Sequence, residues 1–332
     1  MRAAWYERTG PARDVLVVGE MPMPTPTPGP GEVRVKLAWS GVNPSDVKSR
    51  AGLRSTALAF PRIVPHSDGA GTIDAVGAGI ASARVGERVW VWNAAWQRPF
   101  GTAAEYVVLP AAQAVPLPPN VDGAAGACLG IPALTAWHAI HCGGGVAGRS
   151  VLVAGGAGAV GHYAIQFAKL AGAAWIATTV SSLEKAMLAN LAGADLVLNY
   201  RNDDVAGRLR EATQGRGIDR VVEVDLAGNI GVDLEVVRAD GDIVAYGSNA
   251  PQIAVPFFPA IVKNVALIFF IVYNLDAASR RRAIDGLTGA LTGGTLVHNV
   301  AARLPLARIA EAHELVEGGK SVGNVVVDVA AH

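Results

Sequence analysis

Three glycines with the spacing G-x-G-x-x-G, at Gly156, Gly158 and Gly161, give this sequence its clearest chemical signal. The first such glycine permits a tight turn, the second lets a pyrophosphate approach the backbone, and the third lets a helix pack closely on a strand. The strand-like run Ser150–Ala154 precedes them and the helical segment Tyr163–Leu170 follows them, which is the context that the motif requires. A glycine-rich turn without a ligand is the alternative, and this context favours a dinucleotide site. The cofactor contacts predicted from the motif are Gly156, Ala157, Gly158, Ala159, Val160 and Gly161.

A group of hydroxyls and one lysine follows the next predicted strand, Ala174–Thr178. NAD-binding units usually carry an Asp or Glu at this point to bind the ribose hydroxyls. Here Thr179 and Ser181 follow the strand, and Lys185 lies on the helix after them. A carboxylate would repel a 2′-phosphate, whereas hydroxyls and a cation would accept it. We therefore predict NADPH rather than NADH as the cofactor, although Glu184 weakens this pocket and a solvated Lys185 is the plainer alternative.

The composition indicates a soluble protein of two domains. The chain has 332 residues, of which 51% are hydrophobic and 17% charged, so a large core can form and disorder is not expected. Lys plus Arg and Asp plus Glu both number 28, and a net charge of zero argues against nucleic acid as a partner. Two cysteines make neither a disulfide framework nor a four-cysteine zinc lobe.

The sequence contains no evident targeting or membrane segment. The N-terminus lacks the apolar stretch of a signal peptide. The most lipid-like run, Val265–Tyr273, has half the length that a bilayer crossing needs. We therefore expect a cytoplasmic protein that does not bind membranes.

The elements before the glycine motif are those of a β-rich domain. The strand candidates, separated by glycine-containing turns, are Glu32–Trp39, Gly69–Val76, Arg88–Trp92 and Glu105–Leu109. The proline-rich segment Met21–Gly31 is interpreted as a connector between strands rather than a ligand of proline-binding domains. Many short strands with almost no helix predict a barrel-like domain that extends to about residue 123.

From Ala124 onward strands and helices alternate, which predicts a doubly wound parallel sheet. The predicted strands are Val151–Ala154, Ala174–Thr178, Leu196–Asn199, Arg220–Val224, Ile243–Tyr246 and Leu267–Val272. The predicted helices include Leu183–Leu191, Asp204–Thr213, Ile230–Arg238 and Asp276–Leu291, and the chain closes with a helix at Leu306–Glu317 and a strand at Asn324–Val329.

The order of several motifs resembles the medium-chain dehydrogenase/reductase superfamily and, within it, the zinc-free quinone oxidoreductases of the ζ-crystallin group. The motifs run through nearly the whole chain: GVNPSDVKSRAG (Gly41–Gly52), HSDGAGTIDAVGAG (His66–Gly79), GERVW (Gly86–Trp90), GTAAEYVVLP (Gly101–Pro110), CLGIPALTAWHAI (Cys128–Ile140), the glycine motif, LNYRNDD (Leu198–Asp204), GIDRVVEV (Gly217–Val224) and AEAHELVEGGKSVGNVVV (Ala310–Val327).

The resemblance implies an α/β fold of two domains with hydride transfer in the cleft between them. A β-rich, GroES-like barrel domain with the catalytic residues would comprise residues 1–123, completed by residues 274–332, and a Rossmann NADP-binding domain would comprise residues 124–273. The resemblance also implies a homodimer that pairs through Val265–Val272, since this apolar strand would otherwise leave an aggregation-prone edge. A strand covered within its own chain is the alternative.

The resemblance places three residues where zinc-dependent relatives hold their catalytic metal. These are Asn43, Ser67 and Ile131, whose amide, hydroxyl and alkyl groups do not supply the thiolate and imidazole that such a site requires. His66 lies one position early and is interpreted as a turn or cleft histidine, and no C-x-x-C occurs for a structural zinc. We therefore expect a protein without zinc.

Further cofactor contacts are implied by the resemblance. Tyr200 would join Lys185 and the Ser181 region at the 2′-phosphate of NADPH, with a half-buried strand end as the alternative for Tyr200. The remaining implied contacts are Asn43, Thr135, Gly247, Ser248, Phe270, Val272 and Asn324, of which Asn324 replaces a basic residue that relatives commonly carry.

The segment Asn43-Pro-Ser-Asp46-Val-Lys48 contains the predicted catalytic residues. Asn43 can donate an amide hydrogen to a substrate oxygen that gains negative charge as hydride arrives. Lys48, where many relatives have tyrosine, would add positive charge or donate a proton, and Asp46 would orient Lys48 or close a turn. A simple Asn-Pro turn with a solvated lysine is the alternative.

The resulting prediction is an NADPH-dependent reductase that transfers hydride to a quinone or another α,β-unsaturated carbonyl without zinc. The alternatives are a zinc-free alcohol dehydrogenase-like enzyme and a cofactor-binding structural or RNA-binding protein of the ζ-crystallin type. The neutral net charge counts against RNA binding, and the absence of metal ligands counts against alcohol oxidation.

Overall fold

The computed structural model describes residues 1–22, 27–319 and 321–331. The chain divides into two compact units, one of Met1–Pro132 with Thr288–His332 and one of Ala133–Leu287. Four residues of the predicted connector Met21–Gly31, at positions 23–26, lie outside the described residues.

Strands and helices are numbered here in chain order. The strands are β1 Arg2–Trp5, β2 Val17–Glu20, β3 Glu32–Val42, β4 Asp68–Val76, β5 Arg88–Val91, β6 Tyr106–Pro110, β7 Ala114–Pro116, β8 Ser150–Val153, β9 Trp175–Val180, β10 Leu196–Asn199, β11 Ile218–Glu223, β12 Val237–Ala245, β13 Ala266–Phe269, β14 Val300–Pro305 and β15 Asn324–Asp328. The helices are α1 Ala12–Val15, α2 Pro44–Arg50, α3 Gly123–Gly126, α4 Leu134–His141, α5 Gly161–Leu170, α6 Leu183–Leu191, α7 Val205–Ala212, α8 Leu226–Val236, α9 Phe257–Val262, α10 Ala277–Thr292 and α11 Ile309–Glu317.

The first unit is built on a seven-stranded sheet whose long strand β3 has different neighbours along its length. The strand order is β14-β15-β3-β4-β5-β7, and β6 pairs with the N-terminal half of β3. Register shifts after Arg34 and Leu37 kink β3, so that its C-terminal half pairs with β15 instead. The GroES-like domain is thereby confirmed, and the described pairings follow an open path rather than a closed barrel.

The second unit is a parallel sheet with the order β10-β9-β8-β11-β12-β13. The chain starts at the centre with β8, moves outward to β10, and returns to β11 on the other side, which confirms the predicted doubly wound topology. Val151, Val153, Val221 and Ile243 are fully buried, since helices cover both faces of such a sheet. The crevice beyond the carboxyl ends of β8 and β11 is where open sheets of this kind bind ligands.

Local sequence explains where the helices beside this sheet begin. Ser182 accepts a hydrogen bond from the Lys185 amide and caps α6, and Asp204 accepts one from the Gly207 amide and caps α7. Both predicted helices are confirmed, α6 to the residue.

No helix in the described ranges is both long and apolar enough to cross a bilayer.

The unit boundaries lie further along the chain than the expected residues 123 and 273. Helix α3 packs against the first unit, because Gly126 leaves space for Ala70 and Leu117. Helix α10 packs against α4 in the second unit, where a Cβ at Gly286 would meet the Trp137 indole at 2.4 Å.

Several elements differ from the sequence prediction: α1, β1, β2, β7 and β14 were not predicted, and β12 begins at Val237 rather than Ile243. Helices α2, α3 and α4 were not predicted, since the first two are short and begin at turn-type residues. Strand β13 ends at Phe269 rather than Val272, because the Val272 carbonyl accepts a hydrogen bond from the buried Arg280 and begins a turn of 3₁₀ helix.

Candidate functional site

Asn43 stands between β3 and α2, where it caps the helix. Pro44 occupies the first helical position, and the Asn43 backbone N–H donates to Asp46 Oδ2 over 2.8 Å. Asp46 is buried, and burial raises the pKa of its carboxyl to about 7. Asp46 therefore closes the turn, which is one of its two predicted roles. Asp46 and Lys48 lie two positions apart on α2, so they face different directions, and the other role, orienting Lys48, is not supported.

A buried carboxylate that the sequence analysis did not single out holds Asn43 in place. Asp68 is fully buried at the start of β4, and its Oδ2 accepts hydrogen bonds from Asn43 Nδ2 and from the Ile131 backbone N–H, both at 3.0 Å. A Cβ at Gly130 would lie 2.3 Å from Asp68 Oδ1, so only glycine fits there. The signal in the sequence is an ionisable residue at the start of a strand, followed directly by the small residues Gly69, Ala70 and Gly71.

The donor set at the expected zinc position does not fit a zinc ion. Asn43 offers an amide already bonded to Asp68, Ser67 a hydroxyl and Ile131 an alkyl side chain. Within residues 1–22, 27–319 and 321–331, no three His, Cys, Asp or Glu side chains cluster as metal ligands. His66 Nδ1 contacts Ser40 Oγ at 2.8 Å, and its Nε2 contacts His313 Nε2 at 2.9 Å.

The glycine motif joins β8 to α5 in the second unit, and two of its glycines are required by close approach. A Cβ at Gly156 would lie 2.0 Å from Thr178 Oγ1, and one at Gly161 would lie 2.2 Å from the Gly155 carbonyl oxygen. A tight turn was predicted at Gly156, and the residue with the left-handed conformation in this loop is Gly155, whose φ is +71°. Gly158 is exposed two residues before Val160, the N-cap of α5, and the first N–H groups of a helix favour an anion.

The predicted phosphate residues lie at the carboxyl ends of β9 and β10. Lys185 Nζ donates to Ser181 Oγ over 3.0 Å, and the Tyr200 N–H donates to the Val180 carbonyl, so these residues are brought together. Tyr200 is more than half exposed. Thr179 Oγ1 instead accepts a hydrogen bond from the Gly155 N–H and supports the glycine turn.

Arg201 is a second cation at this edge that the sequence analysis did not name. It follows Tyr200, is exposed, and forms no ion pair with any carboxylate in the described ranges. A basic residue immediately after a strand that borders a phosphate site is the signal that would have identified it.

The other predicted cofactor contacts occupy more constrained positions. Gly247 approaches β11, since a Cβ there would lie 2.2 Å from the Val224 carbonyl oxygen, and Ser248 Oγ closes a turn by donating to the Ala250 carbonyl. The Phe270 ring contacts the ring of His138, with 4.6 Å between centroids. Val272 is 4% exposed, so the structure does not present its side chain as a ligand contact.

Thr135 and Asn324 are also buried. Thr135 lies in the first turn of α4, where it is 5% exposed. Asn324 Nδ2 donates to the Asn299 carbonyl, which ties β15 to β14, and the pairing of Val325 with Val42 places Asn324 beside the end of β3. The amide of Asn324 therefore already has a structural partner.

Comparison with known proteins shows two family models in succession along the chain. Residues 29–119 match the alcohol dehydrogenase GroES-like domain, and residues 159–288 match the zinc-binding dehydrogenase family. The chain is 29% identical to the human quinone oxidoreductase over 299 residues, covering 89% of this chain and 88% of the relative. It is 30% identical to a 2-haloacrylate reductase of Burkholderia sp over 308 residues, covering 89% and 90%.

Solved structures give the same result for the whole chain. A mycobacterial protein solved with NADPH superimposes with a TM-score of 0.88 at 30% identity, covering 99% of this chain and 100% of the other. An NAD-dependent alcohol dehydrogenase superimposes with a TM-score of 0.90, also at 30% identity and with the same coverage.

Proposed function

The chain belongs to the quinone oxidoreductase group of the medium-chain dehydrogenase/reductase superfamily, and from this premise we propose that it is an NADPH-dependent reductase of quinones or other α,β-unsaturated carbonyls that works without zinc. The observation that carries the proposal is the Asn43–Asp68 hydrogen bond at the position of a metal site. It leaves an amide donor, rather than a metal ion, to stabilise the substrate oxygen.

The residues of the second unit fit NADPH. The close approaches at Gly156 and Gly161 shape the loop that would receive the pyrophosphate. Ser181 and Lys185 would bind the 2′-phosphate, because no carboxylate lies between the end of β9 and α6 to repel it. When bound, NADPH supplies the hydride from C4 of its nicotinamide ring.

The residues of the first unit would act on the substrate carbonyl. Asn43 Nδ2 carries two hydrogens, and Asp68 accepts one of them. The second would donate to the substrate oxygen as hydride addition places negative charge there. Lys48, which is partly buried on α2, would strengthen the positive field or return a proton to the reduced product.

A screen of NADPH oxidation across quinones, enals, enones, 2-haloacrylates and saturated aldehydes tests this function. We expect turnover of at least one activated alkene or quinone and none of the saturated aldehydes. Zinc is measured by elemental analysis in the same preparation, and we expect far less than one zinc per chain and full activity after chelation. Stoichiometric zinc would contradict the metal-free proposal.

A second candidate function, an alcohol dehydrogenase without zinc, is favoured by the similarity to an NAD-dependent alcohol dehydrogenase. Alcohol oxidation with NAD⁺ or NADP⁺ in the same assay distinguishes the two. If no substrate is turned over in either direction while NADPH still binds, a cofactor-binding structural protein becomes the better reading.

A homodimer is the proposed quaternary state. Strand β13 pairs with β12 on one side and is the last strand of its sheet, and Phe269 on it is 62% exposed. Helix α9, which precedes β13, exposes Phe258 and Val262 to 75% and 78%. Light scattering at micromolar concentration should give a dimer, and Phe269→Lys should shift it toward monomer. The control is Leu53→Lys in the first unit, where Leu53 is 72% exposed, and it should leave the dimer unchanged. A monomeric wild type would refute the dimer.

A further inference from the structure

A row of buried polar side chains ends at Asp68. His313 Nε2 lies 2.9 Å from His66 Nε2, His66 Nδ1 lies 2.8 Å from Ser40 Oγ, and Ser40 Oγ lies 2.7 Å from Thr102 Oγ1. Thr102 Oγ1 in turn bonds to the Asp68 backbone carbonyl. The four side chains are fully buried, so each depends on the others, rather than on solvent, for its hydrogen bonds.

The direction of every hydrogen bond in this row follows by elimination. A carbonyl oxygen only accepts, so Thr102 must use its one hydroxyl hydrogen on Asp68. Ser40 must then donate to Thr102, and the hydrogen between Ser40 and His66 must come from His66 Nδ1. A neutral His66 with its hydrogen on Nδ1 has a bare Nε2, so His313 Nε2 carries the hydrogen that joins the two rings.

Burial keeps both rings neutral. Burial lowers the pKa of both histidines, and the guanidinium of Arg50, itself buried, adds to that effect at His313. His313 Nδ1 has no hydrogen-bond partner in the described part of the chain. That matches the deduced tautomer, because a bare nitrogen leaves no buried hydrogen unpaired.

The backbone at His66 indicates that this arrangement is held under strain. His66 has a φ of +76°, in the left-handed region that residues other than glycine rarely adopt. Such a conformation persists only where the surrounding contacts determine it. The two ring bonds of His66 and the bond that its carbonyl accepts from the Thr102 N–H supply those contacts.

We propose that His313, His66, Ser40 and Thr102 form a one-directional hydrogen-bond chain that fixes Asp68, and that Asp68 is the positioning residue of Asn43. Asp68 Oδ2 accepts from the Ile131 backbone N–H and also from Asn43 Nδ2, so it is the nitrogen end of the amide that faces Asp68. The second Nδ2 hydrogen then has one fixed direction. This inference rests on the proposed function for its catalytic consequence but not for its geometry.

A double-mutant cycle tests the link from Asp68 to Asn43. We expect Asp68→Ala to lower kcat about tenfold or more while the Kd for NADPH changes less than about threefold, since the loss is confined to one positioned donor. Asn43→Ala/Asp68→Ala should be no slower than Asn43→Ala alone, because Asp68 acts through Asn43. Asp68→Asn, whose carboxamide oxygen still accepts from Asn43, should restore most of the activity.

The matched control is Asp74→Ala, which removes a carboxylate of the same strand that pairs with Arg34. Its kcat should stay near wild type. The positioning role would be overturned if the kcat losses of Asn43→Ala and Asp68→Ala multiplied in the double variant. It would also be overturned if Asp68→Ala and Asp74→Ala lost kcat equally.

The histidine tautomers test the chain without any turnover. In ¹⁵N-labelled protein at neutral pH, we expect His66 protonated on Nδ1 only and His313 on Nε2 only, and Ser40→Ala should abolish the single tautomer of His66. Imidazolium at either ring, or the opposite tautomers, would overturn the inference. If the wild type reduces no substrate, the proposed function fails. The hydrogen-bond geometry is then still tested by the histidine tautomers and by non-additive Tm shifts in the Asn43→Ala and Asp68→Ala double-mutant cycle.

Discussion

Lys185 donates a hydrogen bond from Nζ to Ser181 Oγ over 3.0 Å, which links the first turn of α6 to the end of β9. Both residues project from the edge that also carries Tyr200 and Arg201. The contact holds the lysine at the strand end rather than in open solvent. A lysine and a hydroxyl fixed together in this way would form half of the proposed phosphate site.

Lys185→Ala is expected to weaken NADPH and leave NADH almost unchanged. A hydrogen bond to a charged group is worth about 1.5–3 kcal/mol, so the KM for NADPH should rise about ten- to a hundredfold. NADH lacks the 2′-phosphate and loses nothing. Initial rates with each cofactor measure the effect, and Lys169→Ala on the exposed end of α5 is the matched control. Equal changes for both cofactors would refute the phosphate assignment.

Asn43→Ala is expected to lower turnover by up to about a hundredfold, the loss typical of one oxyanion donor. The Kd for NADPH should stay near wild type, because Asn43 would be one cofactor contact among many. Steady-state kinetics and a fluorescence titration separate the two. Asn120→Ala, which removes an amide that bonds to the Leu291 carbonyl in the same unit, serves as control. Unchanged turnover in both Asn43→Ala and Lys48→Ala would mean that binding geometry alone carries the reaction.

Local pattern was sufficient for several elements of the second unit, although not for α4. Strand β10 and helix α6 occupy the predicted residues, because an apolar run and a serine cap define their ends without help from distant contacts. The glycine motif lies between a strand and a helix as predicted, yet the residue with the left-handed conformation is Gly155. The spacing of a motif identifies a loop, whereas φ depends on how the whole loop closes.

Long-range pairing supplied what the sequence pattern could not. Asp68 reaches Asn43 because β3 and β4 pair with Gly41 opposite Asp68, a register set by two bulges that leave no local signal. The sequence of α2 is also compatible with a simple Asn-Pro turn. The segment is helical because Asp46 caps it and because Val47 and Arg50 are buried. His313 joins His66 from 247 residues away.

Acid is expected to destabilise the protein through its buried histidines. Burial in the folded state lowers the pKa of His66 to about 3 and the pKa of His313 well below its usual range. Below about pH 6.5 these two histidines are therefore protonated in the unfolded chain and neutral in the folded chain. Stability is therefore complete above pH 6.5 and falls as the pH drops toward 3, by about 1 kcal/mol per pH unit for each histidine. Urea unfolding at pH 7.5 and 5.0 measures this. His66→Gln/His313→Gln should flatten the dependence, and an unchanged slope would show that other groups set it.

Alkali is expected to destabilise the second unit through Asp233. This carboxyl is 2% exposed, and burial together with the neighbouring Glu223 raises its pKa well above the usual range. An acid whose pKa is raised in the folded state keeps a proton that the unfolded chain releases above about pH 4, so stability falls as the pH rises from there. Asp233→Asn places a permanently neutral group at the same position and removes that fall. The variant should therefore unfold a few degrees above wild type at pH 8 and at about the same temperature as wild type at pH 4, as followed by calorimetry.

Asp195→Asn, which replaces a carboxylate bonded to the Ile176 N–H, is the control and should show no gain at pH 8. A wild type that is more stable than Asp233→Asn at pH 8 would contradict the prediction, since it would mean that Asp233 is ionised in the folded protein.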